Sequence, residues 1–252
     1  MLKLNKTTQD IAQIENAEFD NVTFDMIAMH NSADADNASF RSTALTVITQ
    51  ASQTSNVDQS VDAYSAQLIA AVDVRSAYES AKNADNDTMQ AKLKSFKVSV
   101  SHARIAEIMQ MSNVDANLLN RQERVNARYN EKAYVKVINI ARAIAKVENL
   151  NIYTRAILQS VKLFEENEMM LTERESKLAC SAHNRIADVK RNSCLIRTSK
   201  IYDASTCSTQ ASSTNNALQA YNILIETRDA ANNVCFKLNR ENNATQALLE
   251  LL

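Results

Sequence analysis

Apolar side chains return along most of this chain at steps of three and four, the period of a helix face. Val57, Val61, Tyr64, Leu68, Ala71 or Val72, and Tyr78 form one seam, which predicts a long helix ending near Lys82. A helix over about 39–52, with Leu45 and Ile48, is expected before it. Met89, Leu93, Phe96, Val100 and Ala103 predict the next helix over about 88–111. Between 116 and 165 a drifting stripe through Leu118, Val125, Tyr129, Tyr134, Val137, Ala141, Ile152, Leu158, Val161 and Phe164 meets no convincing break. One helix of that length would span roughly 75 Å, and the polar step at 148–151 is the place where it would kink.

Thr172-Glu173-Arg174-Glu175 has the form of a capping box and opens a helix carrying Leu178, Ala182, Ile186 and Val189. Residues 204–216, rich in Ser, Thr and Asn, read as the longest connection. A last helix through Leu218, Tyr221, Ile225, Val234, Leu238 and Leu248 then runs to the end. The first forty residues are the least regular: Leu4, Ile11 and Ile14 have helical spacing, whereas Val22, Phe24 and Met26 alternate as in a strand. The pattern therefore predicts an all-α protein, an elongated antiparallel bundle or coiled coil of five to six long helices over 41–252, with a partly irregular N-terminal arm over 1–40.

Composition sharpens this picture. The chain contains no glycine and no proline in 252 residues, where average usage would supply about thirty. No position can then take a positive φ without steric cost, so the turns and helix caps that glycine usually serves are expected to fall to Asn or Asp. Asn83-Ala84-Asp85-Asn86-Asp87 and Ser112-Asn113-Val114-Asp115 have that character. The same absence removes the phosphate-binding loop, the dinucleotide fingerprint and the nucleophile elbow, each of which needs glycine where the backbone approaches a ligand or turns sharply.

The total charge is −1, but it is unevenly spread. Residues 1–120 hold 9 basic and 15 acidic side chains, 121–200 hold 16 and 9, and the remainder 3 and 5. Within the basic middle, Arg121, Arg124, Arg128, Lys132, Lys136, Arg142 and Lys146 recur mostly at steps of three or four, which on a helix makes one basic stripe. A solvated face is the ordinary meaning of such a stripe; an acidic protein surface is the next, and nucleic-acid phosphate the third.

Catalytic chemistry finds little to use. His30, His102 and His183 are isolated, and no Glu-x-x-His pair supplies di-iron ligands. Cys180 and His183, three apart on an expected helix, are two potential metal ligands short of a full set, so neither metal nor cofactor is expected. The acidic group Glu165, Glu166, Glu168, Glu173 and Glu175 straddles an expected helix end, where carboxylates favour the following N-terminus. Four cysteines without regular spacing suggest reduced thiols. No stretch approaches the roughly 20 apolar residues of a membrane span, and the first residues do not read as a secretory signal.

These features point to a non-enzymatic structural protein that self-associates or is fixed in a larger assembly, with a bacteriophage virion, in an internal, tail or head-associated place, as the specific expectation. Its expected partners are copies of itself or other assembly subunits, in the cytoplasm or inside an assembled particle. A helical adaptor module and a pore-forming helical protein are the alternatives.

Overall fold

The computed structural model describes residues 60–120, 122–123, 127–128 and 131–252. The expected arm over 1–40 and the helix over 39–52 lie outside them. Among the described residues the protein is mostly helical, with nine α-helices and a small three-stranded sheet. In chain order the helices are α1 (Val61–Lys82), α2 (Asp87–Val100), α3 (Ala103–Met111), α4 (Glu131–Ile144), α5 (Ile152–Glu166), α6 (Glu173–Ala179), α7 (Val189–Cys194), α8 (Ala204–Ala220) and α9 (Asn243–Leu249). A 3-10 turn, Leu118–Asn120, and a minimal hairpin of β1 (Gln122–Glu123) and β2 (Ala127–Arg128) lead into α4. Strands β3 (Leu171–Thr172), β4 (Leu224–Arg228) and β5 (Val234–Leu238) form an antiparallel sheet in the order β3-β5-β4.

Short polar side chains start most of these helices. Ser60, Asn86, Asn151, Thr172, Asp188, Asp203 and Asn242 each accept a backbone N–H from the first turn of the helix that follows, satisfying donors that have no partner within the helix. At Thr172 the capping box is complete: Thr172 Oγ1 accepts from Glu175 N, and Glu175 accepts from Thr172 N.

The helix ends show what replaces glycine. Five described residues have positive φ: Asn113 (54°), Lys146 (59°), Glu168 (59°), Asn222 (52°) and Asn232 (63°). The first four each close a helix by the same pair of bonds, as at Asn113, where Val114 N donates to Met109 O at 3.0 Å and Asn113 N to Gln110 O at 2.9 Å. Asn232 instead closes the β4–β5 loop, its N–H donating to Asp229 O while Asp229 N donates to Asn233 O. Asn takes three of the five positions as expected, but Lys and Glu take the other two, so the substitution for glycine is wider than Asn and Asp.

Helix lengths depart from expectation. They run from 6 to 22 residues, shorter than the five or six long helices expected, and what the described residues show is a mostly helical chain with a small sheet. The helix expected over 88–111 breaks at Ser101 and His102, where Ser101 Oγ donates to Val98 O and His102 adopts extended backbone. The stretch 116–165 is divided by the β1–β2 hairpin and again at 145–151, where Lys146 closes α4 and Asn151 caps α5. The connection expected at 204–216 is instead part of α8, and the helix expected from Leu218 to the end becomes β4, β5 and α9.

The core is continuous through these elements. α1 packs against α2, α3 and the 3-10 turn; α4 contacts α2 and α3 as well as α8; and α8 also meets α5 and α6. Three fully buried tyrosines tie the pieces together through backbone carbonyls. Tyr64 Oη donates to Val114 O at 2.6 Å, Tyr134 Oη to Leu119 O at 3.1 Å, and Tyr221 Oη to Val137 O at 2.8 Å. Burial, with Asp115 nearby, pushes the Tyr64 hydroxyl well above its ordinary range. Arg75 joins this core through a 2.6 Å ion pair with Glu79 and a 2.8 Å bond to Leu119 O, its guanidinium lying over the rings of Tyr78 and Tyr134.

Candidate interaction surfaces

Among the described residues the C-terminal sheet carries an open edge. Leu-Ile-Glu-Thr-Arg and Val-Cys-Phe-Lys-Leu are two five-residue strands, joined by Asp229-Ala230-Ala231-Asn232-Asn233, in which Asp229 Oδ1 accepts from Ala231 N and Asn233 N. Asp229 N donates to Asn233 O and Asn239 N to Ile223 O. These bonds fix the alternation of the ladder, so Ile225 and Thr227 face β5 with their backbone groups. Leu224, Glu226 and Arg228 therefore turn theirs outward, and β4 is the outermost strand. Leu224 is buried, whereas Glu226 and Arg228 are exposed and Ile225 is 45% exposed.

A cleft of about 520 Å³ lies where α6, the 185–191 segment and the start of β5 meet. Glu173, Arg174, Lys177, Arg185, Asp188 and Arg191 supply its charged walls beside Glu175. Arg191 reaches Glu175 in a bidentate pair, Nε to Oε1 and Nη2 to Oε2, both at 2.6 Å. Its guanidinium carbon also lies 5.0 Å from the centre of the Phe164 ring. Burial alone would push the Glu175 carboxyl up; the bonds from Arg191 and Thr172 outweigh it and hold the group below its ordinary range. The same pair raises Arg191, mainly through its bond to Glu175. Lys177 pairs with Glu173 at 2.9 Å, and Asp188 caps α7. All three carboxylates of this cleft are thus engaged in the scaffold.

The expected basic stripe is divided. Arg121 and Arg124 lie outside the described residues, Arg128 belongs to β2, and α4 begins only at Glu131. Of the others, Lys132 is half-buried, Arg142 donates to Ser99 Oγ at 2.9 Å and pairs with Glu148 at 3.3 Å, and Lys146 is exposed beyond the helix end. Lys136 points the other way from a solvated face: it is buried, its Nζ donating to Asn151 Oδ1 at 3.2 Å and lying 4.7 Å from the centre of the Tyr153 ring. Burial lowers its pKa to about 7, an effect that Cys180 opposes and Lys132 reinforces.

Cys180 and His183 do not share a helix, because α6 ends at Ala179. The Cys180 thiol is buried and donates to Ser176 O, and burial pushes its pKa up to about 12 against the nearby Lys136. His183 is exposed, its Nδ1 3.2 Å from Ser181 Oγ. All four cysteines are unbridged and buried. Among the described residues no three His, Cys, Asp or Glu side chains converge in a way that could hold a metal ion, and no helix is long and apolar enough to cross a membrane.

Sequence reasoning missed the work of Glu165. Its Oε1 accepts from Leu238 N at 2.6 Å and its Oε2 from Arg240 Nη2 at 2.9 Å, fastening the end of β5 to α5. Arg240, 75 residues further on, carries no signal of that partnership in local sequence. No family model, no curated protein and no solved structure matches this chain.

Proposed function

We propose that this chain is a non-enzymatic structural protein that self-associates or is a fixed component of a larger assembly, with a bacteriophage virion, as an internal, tail or head-associated part, as its setting. The segregation of charge carries the reading: 16 basic against 9 acidic side chains over 121–200, and 9 against 15 over 1–120. Opposed regions of this kind complement one another between subunits and steer their encounter.

Light scattering of the purified full chain at low and high salt, with negative-stain images of the same samples, tests the proposal. Oligomers or ordered particles that shrink as salt rises are the expected result. A monodisperse monomer at both salts removes self-association and leaves only a place among other subunits.

A further inference from the structure

We infer that the outer edge of β4 pairs with the same edge of a second copy of this chain, in antiparallel register about a two-fold axis at Thr227. The inference rests on the self-association reading above and names its contact. β4 is five residues long, is paired on one side only among the described residues, and turns the N–H and C=O groups of Glu226 and Arg228 away from β5. An open strand edge of this kind is a template for another strand.

Charge selects both the occupant and the register. Centring the axis on Glu226 would set two carboxylates directly opposite each other, which is destabilising. Centring it on Thr227 sets Glu226 opposite Arg228 of the second copy and Arg228 opposite Glu226 of the second copy. Both residues belong to the outward-facing set, so each such step exchanges both backbone N–H···O bonds. Both Glu226–Arg228 pairs then join opposite charges, and Thr227 faces its own copy, a favourable combination in a strand pair. The sequence of the edge is complementary to itself in this arrangement, and the three strands of each copy would join into one sheet.

The rival surface, the cleft beside α6, has three carboxylates already engaged within the fold and offers no comparable choice of occupant.

Sedimentation of the full chain across a concentration series, with hydrogen exchange on the same samples, tests the inference. The wild type is expected to dimerise, with the Glu226 and Arg228 amides becoming protected as concentration rises. Glu226→Arg or Arg228→Glu alone is expected to weaken association about tenfold or more, and the double charge swap to restore it. Glu226→Pro, which removes an outward N–H and spares the ladder to β5, blocks pairing independently of charge. Circular dichroism verifies that each variant is folded. Because Arg228 also donates to Asn232 O, the Glu226 variants and the wild-type exchange pattern decide the matter if Arg228→Glu unfolds the hairpin. Association that persists unchanged in folded Glu226→Arg and Glu226→Pro overturns this edge and leaves self-association standing. A wild-type monomer at every concentration overturns both.

Discussion

Helices α5 and α8 are both packed into the interior, yet they fill it with different material. α5 buries Tyr153, Ile157, Leu158, Val161 and Phe164 in an amphipathic pattern. α8 buries Cys207, Gln210, Ala211, Ser213, Thr214, Asn215, Ala217 and Leu218, and it packs against α4, α5 and α6. Its polar groups are answered only in part: Ser213 Oγ donates to Thr209 O at 2.8 Å and Asn215 Nδ2 to Ser176 Oγ at 3.0 Å, while Thr214 Oγ1 and Asn215 Oδ1 are buried without a hydrogen-bond partner among the described residues. In a chain without glycine, small hydroxyl and alanine side chains do what glycine does elsewhere in close helix packing. One helix thus contributes apolar bulk, the other proximity.

The sharpest test of that contrast is Phe164→Ala, which removes a fully buried ring from α5 and is expected to destabilise by about 3–5 kcal/mol, read from the midpoint of urea unfolding. An effect below that of any α8 truncation would break the comparison.

Next comes Lys136, which touches the first turn of α5 through Asn151 and Tyr153. Its ammonium has a folded pKa of about 7 against 10.5 ordinarily, so above pH 7 the unfolded chain holds a proton that the folded chain has released. Stability should therefore rise with pH from about 7, approaching about 1.4 kcal/mol per pH unit for one proton. The Cys180 thiol, raised from 9.0 to about 12, acts oppositely above pH 9, where the unfolded chain loses a proton that the folded chain keeps. Lys136→Met should flatten the rise between pH 7 and 9; an unchanged slope in that variant would remove Lys136 as its source.

Overpacking probes α8 from the other side. Ala211→Leu or Ala217→Leu should cost about 1–3 kcal/mol, since neither position has room for a branched side chain, whereas Leu158→Met in α5 should cost less than about 1.5 kcal/mol. Thermal melts that rank them the other way would show that α8 is loosely seated. Of similar size and opposite sign, Lys146→Gly and Glu168→Gly should each stabilise by about 1 kcal/mol by relieving the left-handed backbone. The smallest effect is reserved for Thr214→Val. Its buried hydroxyl has no hydrogen-bond partner, so the change should be neutral or stabilising by up to about 1 kcal/mol, while Ser213→Ala, which deletes a made bond, should destabilise by a similar amount.

The same two regions explain what could be read from the sequence. The seams through Tyr64, Leu93, Tyr134 and Phe164 and the box at Thr172 were legible because they rest on local spacing and short polar caps. α8 was not, since Ser, Thr and Asn read as loop formers until their hydroxyls and amides are seen bonded within the fold. The β4–β5 hairpin escaped for a different reason: Val234 and Leu238, four apart, share a face in a strand as well as in a helix. The turn at Asp229–Asn233, not periodicity, held the deciding information. Of the basic positions, Lys136 was misread as solvated, because a lysine at stripe spacing gives no local hint that Tyr153 and Asn151 will enclose it. The open edge of β4 was invisible for as long as the strand itself was.

The bond from Tyr221 to Val137 spans 84 residues, and the chain between and around them contains no proline. An unfolded molecule therefore has no prolyl bonds to isomerise, and refolding lacks the tens-of-seconds phase that they impose. What sets the clock is the search that brings α4 and the end of α8 together across that long loop, a process governed by chain length and contact order.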